Sequence, residues 1–287
     1  RLTRPDGQRV IAFGRYAGLV GAYNGIMAWG LRYNLFELKR AHKCFDLAEM
    51  REEFDKVQLP AIKIALTGGG RVSQGAMEVL DGMGIKKVSP QELLEQEFEE
   101  AVYAQLNPGD YNRHSEGKDF ELPHFFEHPE EYESDFGKFT GKVNLLIAGA
   151  YWDPKAPVLF PRKQALAPNF SIKVIADITC DIDGSIPSTR RPSSINDPFY
   201  DYSPEQDTTL TPFSGKQHIT VMAIDNLPNE LPRDASESFG EQLLEAVLPE
   251  LLGEEESEMI ERATIARNGK LTPPYHYLQD FVDGKDE

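Results

Sequence analysis

The sequence has few cysteines, few basic residues and no long apolar segment. Cys44 and Cys180 cannot build a disulfide framework, and no Cys/His spacing resembles a zinc site. No run of about 18 apolar residues is present, so the sequence predicts no membrane-spanning segment and favours a cytoplasmic protein. The 47 acidic and 30 basic residues give a net charge of −17, which argues against a nucleic-acid partner because phosphate binding needs clustered Lys and Arg.

A glycine turn stands between an apolar run and an amphipathic pattern. Residues 62–66 predict a buried strand, and Gly68, Gly69 and Gly70 follow it directly. From about Val72 the apolar residues recur at helical spacing. A strand, a glycine turn and a helix together form the arrangement that binds a pyrophosphate at a helix N-terminus. Ser73 replaces the third glycine of the usual pattern, so an ordinary βα turn remains the alternative.

Three further apolar runs, at 143–150, 171–178 and 219–224, predict buried strands. Together with the helical patterns they predict an α/β fold, namely a Rossmann-type, doubly wound and mainly parallel sheet. Ligands of such sheets lie outside the carboxyl ends of the strands, where Tyr151 and Asp225 follow two of these runs.

Two other segments have a distinctive composition. Residues 15–31 are nearly uncharged, and Gly18, Gly21 and Gly25 fall on one helical face, which predicts a buried inter-domain helix rather than a membrane helix. Residues 91–139 are acidic and aromatic and predict an insertion. The histidines of that insertion fit no standard ligand spacing, so we assign no metal site.

The region after the glycine-turn helix bears on the choice between NAD and NADP. A site for NAD usually carries an acidic residue about 20 positions after the first glycine, where it holds the ribose 2′-hydroxyl. Residues 85–88 predict the second strand, and no acid follows until Glu92. Lys86, Lys87 and Ser89 would instead suit a 2′-phosphate, so the sequence favours NADP and leaves NAD open.

Several stretches taken together resemble one family. Residues 9–18, 66–76 and 224–236 are similar to the saccharopine dehydrogenases that form lysine. They are most similar to the lysine–ketoglutarate reductase portion of the bifunctional aminoadipic semialdehyde synthase. The resemblance covers nearly all of positions 8–250. Alanine dehydrogenase and the nucleotide-binding subunit of transhydrogenase share the two-domain fold of this family.

The resemblance implies a reversible oxidoreductase reaction, in which lysine, 2-oxoglutarate and a reduced nicotinamide give saccharopine through an imine. It implies that Arg9 holds a substrate carboxylate and that Phe13 lines the same pocket. The general acid–base pair of the family, a Lys and a His, precedes the matched region, so we nominate no catalytic residue. Because the chain begins with Arg1 rather than Met, we expect its N-terminal part to be missing.

The resemblance also implies a set of cofactor-binding residues for NADP or NAD. Residues expected around the pyrophosphate, the adenosine and the nicotinamide ribose are Gly68, Gly69, Gly70, Arg71, Val72, Ser73, Ala148, Tyr151, Asp225, Asn226 and Leu227. Ser89 joins this set because its hydroxyl would suit a 2′-phosphate. Thr67 and Ser73 occupy places where relatives carry glycine, which would loosen the hold on the cofactor.

The resemblance also implies a domain organisation. We predict the end of a substrate domain and an inter-domain helix over 1–33, a dinucleotide-binding domain over 34–230, and a returning helix with a C-terminal tail over 231–287. The expected partner is a small amino-acid or keto-acid substrate. The sequence is also compatible with a homo-oligomer. An alanine dehydrogenase-like enzyme and a non-catalytic nucleotide-sensing module are the alternative functions.

Overall fold

The computed structural model describes residues 2–253 and 257–285. The chain forms two compact units. The larger unit is Gly14–Arg233, and the smaller unit combines the described residues before Gly14 with those after Arg233. No helix among the described residues is long and apolar enough to cross a membrane.

An eight-stranded sheet organises the larger unit, in the order β2-β3-β1-β6-β7-β10-β8-β9. The first six of these strands run parallel, while β8 and β9 are antiparallel additions at one edge. The strands of this sheet are β1 (Lys63–Thr67), β2 (Lys86–Lys87), β3 (Val102–Leu106), β6 (Leu145–Ala148), β7 (Val174–Asp177), β8 (Tyr200–Ser203), β9 (Thr208–Leu210) and β10 (Ile219–Met222). A separate antiparallel hairpin consists of β4 (Asn112–His114) and β5 (Tyr132–Ser134).

Seven helices accompany this sheet, and an eighth begins at the end of the larger unit. The seven are α1 (Gly14–Tyr33), α2 (Leu47–Glu52), α3 (Arg71–Gly82), α4 (Pro90–Glu95), α5 (Pro108–Tyr111), α6 (Leu122–Glu127) and α7 (Arg162–Ala165). The eighth, α8, spans Pro232–Gln242 and passes into the smaller unit. Short 3₁₀ turns connect several of these helices.

The predicted fold class is confirmed, because a mainly parallel sheet with helical crossovers forms the body of the larger unit. Every residue of β1, β6, β7 and β10 is buried. Parallel strands covered on both faces read as continuous apolar runs, which is why these four strands are visible in the sequence. Their side chains join a core that includes Phe136, Phe139 and Phe160.

Glycine allows α1 to pack very closely on α3. A Cβ added to Gly18 would lie 1.8 Å from the carbonyl oxygen of Val72, and one added to Gly75 would lie 2.0 Å from that of Arg15. The prediction of a close helix neighbour is therefore correct for Gly18. Gly21 instead faces the side chain of Ile178, which follows β7.

Strand β3 is an element that the sequence analysis missed. It lies within the range predicted as an insertion, yet it pairs with β1 along its whole length. Two other segments also differ from their expected structure. The apolar composition of residues 9–13 predicts a short strand, yet these residues contribute only an isolated bridge between Thr3 and Arg9. The charged residues 37–59 predict one surface helix, but they contain the short α2 between two 3₁₀ turns.

The smaller unit contains short elements. Beyond its part of α8, its described residues form a π-helical turn (Leu243–Val247), a 3₁₀ turn (Pro273–Leu278), three helices and one hairpin. The helices are α9 (Leu248–Leu252), α10 (Glu258–Ala263) and α11 (Gln279–Val282), and the hairpin consists of β11 (Ala266–Arg267) and β12 (Lys270–Leu271). Its N-terminal segment is held by the Arg262 guanidinium, which donates to the Thr3 carbonyl over 3.0 Å.

Candidate nucleotide-binding site

The strand order reverses at β1. This strand lies between β3, which follows it in sequence after α3, β2 and α4, and β6, which comes later in the chain. In open α/β sheets such a reversal leaves a crevice outside the carboxyl ends of the strands. Gly68, Gly69 and Gly70 stand at this point, between β1 and α3.

Gly68 occupies a position that other residues would strain. Its φ of +100° lies in a region that L-residues rarely adopt. A Cβ there would come within 2.8 Å of the Ser73 hydroxyl and 3.0 Å of the Ala150 Cα. The Gly68 N–H donates to the Leu106 carbonyl at the end of β3, over 2.8 Å. The turn is therefore fixed against both neighbouring strands.

Gly70 borders open space. It is the N-cap of α3, and a Cβ added to it would have no described atom within 4 Å. The helical ladder starts with Gln74 N–H donating to the Gly70 carbonyl, so the amides before Gln74 point out of the helix end. The first turn of α3 has no acidic side chain and no side-chain cap. A helix end of this kind favours an anion, so the residues present fit a pyrophosphate.

Thr67 and Ser73 tighten the turn rather than loosen it. The buried Ser73 hydroxyl donates to the Thr67 carbonyl over 3.0 Å. The Thr67 hydroxyl accepts the N–H of Gly149, the residue after β6, over 3.3 Å. The two hydroxyls thus connect the start of α3 to the ends of β1 and β6. Their expected effect on the hold on the cofactor stays a prediction.

The strand that pairs with β1 on this side is β3, which is followed by Asn107; it is not β2, which carries the two lysines. The strand expected to carry the ribose-binding acid, β2, lies one position further out in the sheet. At the end of β3, Asn107 Oδ1 would lie 3.0 Å from a Cβ on Gly69. A neutral amide therefore occupies the place where an NAD site carries a carboxylate.

Lys87 is connected to the glycine turn through Gln105. The Lys87 ammonium donates to Gln105 Oε1 over 3.0 Å, and Gln105 Nε2 donates to the Gly68 carbonyl over 3.1 Å. The ammonium group is exposed and lies on the β3 side of the turn. Asn107 lies on the same side, with a neutral side chain and with its N–H donated to the Asp110 carboxylate over 2.7 Å.

Ser89 has a structural role. It is the N-cap of α4, and its hydroxyl accepts the N–H of Glu92 over 3.1 Å. The Ser89 N–H donates to the Glu92 carboxylate over 2.8 Å, and this backbone hydrogen bond holds the pKa of Glu92 below its ordinary value. An ionised carboxylate beside Ser89 disfavours a phosphate there.

Ala148 is the last residue of β6 and Tyr151 lies shortly after it, but the two residues differ in accessibility. Ala148 is buried, and its carbonyl accepts the N–H of Ile178 over 3.0 Å. The Tyr151 side chain is 83% exposed at the carboxyl edge of the sheet. Only Tyr151 of this pair therefore presents a side-chain surface to a ligand.

Asp225, Asn226 and Leu227 follow β10. Asp225 and Asn226 are exposed, and Asn226 adopts a left-handed conformation with φ of +62°. Leu227 is buried, and its Cδ1 would lie 3.4 Å from a Cβ on Gly21 of α1. The two polar residues can thus accept or donate hydrogen bonds to a ribose, while Leu227 packs on α1.

The loop after β10 is anchored by a buried carboxylate. Glu230 is fully buried and accepts a hydrogen bond from Asn24 Nδ2 over 2.9 Å. Arg40 Nη2 and His42 Nδ1 each lie 3.2 Å from its other oxygen. Since buried charges require such partners, this cluster fixes the 3₁₀ turn at Leu227–Glu230.

Asp177 at the end of β7 is a structural residue. Its carboxylate accepts hydrogen bonds from the Thr179 hydroxyl and the Thr189 hydroxyl, both over 2.7 Å. Burial raises the pKa of Asp177 despite these bonds. Burial, together with the carboxylate of Asp225, raises the pKa of the neighbouring Cys180 thiol to about 11, so this thiol is a poor nucleophile at neutral pH.

Arg9 and Phe13 lie in the smaller unit. Arg9 is exposed and takes part in the bridge with Thr3. The Phe13 ring stacks on Phe239, with ring centroids 6.0 Å apart. Their assignment to a substrate pocket stays a prediction.

Three residues of the β4–β5 hairpin come together although their spacing is unusual. Potential ligand atoms of His114, His124 and Glu131 lie within 4.8 Å of one another. The Glu116 N–H donates to His114 Nδ1 over 3.2 Å, whereas His114 Nε2 lies 3.4 Å from the Glu131 carboxylate and has no hydrogen-bond partner among the described residues. The structure thus brings together three potential ligand groups, and the expected absence of a metal site stays a prediction.

Sequence reasoning missed the residues that flank the turn. Gln105 belongs to β3 and Asn107 follows this strand directly, and the five residues of β3 are hidden in an acidic stretch. The Pro108-Gly109 pair after Asn107 is a turn signal that marks the end of a strand. Gly149 and Ala150 carry a similar signal, because small residues directly follow the apolar run of β6.

No protein-family model matches the chain. Alpha-aminoadipic semialdehyde synthase of Arabidopsis thaliana is 28% identical over 313 residues, which cover 95% of this chain and 29% of that protein. The L-lysine-forming NAD(+) saccharopine dehydrogenase of Emericella nidulans is 24% identical over 261 residues, covering 86% of this chain and 60% of that protein. The resemblance inferred from the sequence is thereby confirmed. The chain spans 29% of the length of the plant relative.

A solved L-alanine dehydrogenase has the same fold. Its TM-score is 0.56 at 15% identity, and the match covers 98% of this chain and 67% of that one. At this identity the likeness concerns the fold alone.

Proposed function

We propose that this chain supplies the nucleotide-binding unit of a nicotinamide-dependent oxidoreductase of lysine metabolism. The enzyme would condense lysine with 2-oxoglutarate to saccharopine, or run the reverse reaction. The observation that carries the proposal is the open glycine turn at the reversal of strand order, where the amides at the start of α3 point into free space at Gly70. The similarity to saccharopine dehydrogenase supplies the substrate class.

In this proposal the glycine turn and the loop after β10 bind different parts of the nucleotide. The amides between Gly68 and Ser73 hold the pyrophosphate, and the positive end of the α3 dipole favours its charge. Asp225 and Asn226 orient the ribose next to the nicotinamide through hydrogen bonds. A reduced nicotinamide held there supplies the hydride that reduces the imine between lysine and 2-oxoglutarate. Arg9 holds a substrate carboxylate, and Phe13 lines that pocket.

We further propose that the site prefers NADPH to NADH. The Asn107 side chain is neutral and the Asp110 carboxylate accepts the Asn107 N–H over 2.7 Å, while the exposed Lys87 ammonium lies on the same side of the turn. The Lys87 ammonium would pair with a 2′-phosphate there. Ser89 stays a predicted contact to that phosphate, although its N–H and its hydroxyl are both bonded to Glu92 in the structure.

Fluorescence titration of the chain with NADPH and NADH tests the nucleotide proposal. We expect saturable binding of NADPH and weaker binding of NADH. Lys87→Ala should weaken NADPH about tenfold and leave NADH unchanged. Lys86→Ala is the matched control, because adjacent strand residues point to opposite faces and both lysines of β2 are exposed. Failure of both nucleotides to bind would refute the cofactor role, and equal affinities would refute the preference.

A coupled assay tests the reaction class. The protein containing this chain should oxidise NADPH when lysine and 2-oxoglutarate are both present, and with neither alone. Oxidation with pyruvate and ammonia would instead indicate an alanine dehydrogenase-like activity. Nucleotide binding without turnover of either substrate pair would favour a sensing module.

A further inference from the structure

The β4–β5 hairpin brings together three side chains that are well separated in sequence. His114 ends β4, His124 belongs to α6, and Glu131 ends the 3₁₀ turn before β5. The strand register pairs His114 with Tyr132, the residue after Glu131, so Glu131 stands beside His114. Potential ligand atoms of the three residues lie within 4.8 Å of one another, and all three residues belong to the larger unit.

His114 contributes a buried nitrogen whose hydrogen-bonding capacity is not used. The residue is only 4% exposed, and its Nε2 has no hydrogen-bond partner among the described residues. This nitrogen lies 3.4 Å from the Glu131 carboxylate, and the rings of His114 and His124 have their centroids 5.8 Å apart. Because a buried polar atom without a partner destabilises a fold, a bound ion that engages this nitrogen would remove that cost.

His124 is oriented so that one of its nitrogens is available to a ligand. Its Nδ1 lies 3.0 Å from the Tyr132 hydroxyl, and this hydroxyl donates to the Glu121 carbonyl over 3.4 Å. Since the hydroxyl proton is directed to Glu121, His124 Nδ1 donates its own proton to Tyr132 and the lone pair of the neutral ring is on Nε2. That Nε2 lies 3.9 Å from the Glu131 carboxylate. A ring N–H donated to an outer oxygen is the arrangement that orients histidine ligands in metal sites.

Two imidazoles and one carboxylate are a ligand set that suits zinc. Their bonds to zinc measure about 2.0–2.2 Å, so a tetrahedral ion places its ligand atoms about 3.3 Å apart. The 3.4 Å between His114 Nε2 and the Glu131 carboxylate is close to this value, whereas His124 has to move closer. The side chains of His124 and Glu131 are 38% and 44% exposed, which permits this movement and leaves a path for the ion and room for water as the fourth ligand.

Zinc at this place changes one backbone hydrogen bond. The Glu116 N–H donates to His114 Nδ1 over 3.2 Å, which in the neutral ring places the proton on Nε2. Coordination through Nε2 moves that proton to Nδ1. The Glu116 N–H then turns to water, which it can reach because Glu116 is exposed in the turn after β4.

We propose that His114, His124 and Glu131 bind a zinc ion, with water as the fourth ligand. The ion links β4, α6 and the turn before β5, so it stabilises the hairpin. Spacing along the chain predicts no metal site, but the pairing of β4 with β5 supplies a proximity that spacing does not report, and we replace that prediction. The inference goes beyond the proposed nucleotide binding and does not depend on it.

Calorimetric titration of the whole chain with Zn²⁺, after treatment with a chelator, tests the site. We expect saturable binding and a higher melting temperature with Zn²⁺ than without it. His124→Ala and Glu131→Gln should each weaken Zn²⁺ binding at least about tenfold, and both change partly exposed side chains, so the metal-free melting temperature should stay that of the wild type. Tyr132→Phe removes only the hydroxyl that orients His124, and should weaken Zn²⁺ binding about tenfold.

Co²⁺ in place of Zn²⁺ reports on the ligands by absorption. The wild type with Co²⁺ should show the visible absorption bands of an ion bound in a site of low coordination number by nitrogen and oxygen. His124→Ala and Glu131→Gln should lose these bands at the same Co²⁺ concentration.

His276→Ala is the matched control, since His276 is exposed and belongs to the smaller unit. This change should leave the Zn²⁺ affinity equal to that of the wild type. A wild-type chain that shows no saturable Zn²⁺ binding would overturn the site. Zn²⁺ binding that both His124→Ala and Glu131→Gln leave unchanged would also overturn it, because an adventitious surface ion behaves in this way.

Discussion

Two glycine-rich regions of the larger unit use the same residue for opposite purposes. At the contact between α1 and α3, Gly18 and Gly75 let two backbones approach until no side chain would fit. At the end of β1, Gly70 leaves a space that no described atom fills within 4 Å. A count of glycines cannot distinguish these regions. We therefore expect substitutions in the first region to change stability and substitutions in the second to change binding.

The largest effect is expected from Gly18→Ala. The added Cβ would lie 1.8 Å from the Val72 carbonyl oxygen, so α1 and α3 must separate. We expect a loss of about 3 kcal/mol or more in the free energy of unfolding, measured by chemical denaturation.

Gly240→Ala is the control for this change. Gly240 is also helical, but a Cβ there would meet no described atom within 4 Å. Alanine should stabilise this position by about 0.5–1 kcal/mol because glycine is a poor helix former. Equal effects of the two substitutions would show that helix contact is not the reason for the glycine at position 18.

Gly70→Ala should separate binding from stability. The backbone at Gly70 has φ of −86°, which alanine adopts without strain, so the melting temperature should stay unchanged. The methyl group would occupy the space assigned to the phosphates, and we expect NADPH affinity to fall about tenfold, or about 1.4 kcal/mol. An NADPH affinity equal to that of the wild type would contradict the assignment of this space.

Ser73→Ala tests whether the turn is held by its own hydroxyl groups. Loss of the hydrogen bond to the Thr67 carbonyl should reduce the free energy of unfolding by about 1 kcal/mol. Ser188 is the matched control, since it is equally buried and its hydroxyl has no hydrogen-bond partner among the described residues. Ser188→Ala should be neutral, and a similar cost for both variants would remove the hydrogen bond as the explanation.

The smallest effect concerns the contrast between the starts of α3 and α4. Helix α4 is capped by Ser89 and Glu92, whereas α3 has no side-chain cap. Because the pKa of Glu92 is lowered, its contribution to stability is present above the ordinary value of 4.5 and is lost as the pH falls through the lowered value. Denaturation of Glu92→Gln and wild type should therefore differ slightly at neutral pH and converge in acid. A constant difference would exclude the carboxylate as its source.

The sequence predicted those elements whose pattern of apolar residues is contained within one short segment. Helix α3 was identified from its apolar spacing, and β1, β6, β7 and β10 from their continuous apolar runs. Strand β3 was missed because its residues, Val102–Leu106, include Gln105 and lie in an acidic stretch, while its burial comes from pairing with β1. Residues 9–13 have the apolar composition of a strand, but composition does not supply a partner strand.

The candidate site divides in the same way. The turn and its helix were predictable, since three glycines and the spacing after Val72 are adjacent in sequence. Asn107, Gly149 and Ala150 were not, because they reach the turn through the pairing of β1 with β3 and β6, which lie 39 and 81 positions further along the chain. Ser89 caps its own helix in the structure, and its role toward the cofactor stays a prediction.

The anchor of the loop after β10 has a consequence for the order of folding. Glu230 is bonded to Asn24, 206 positions earlier in the chain, so the contact carries a large loop-closure entropy. Contacts of such separation form late, after the local helices and the first strand pairs. The segment bearing Asp225 and Asn226 should thus be among the last parts of the larger unit to acquire protection in pulsed hydrogen exchange, and during synthesis this contact can form only after Glu230 has left the ribosome.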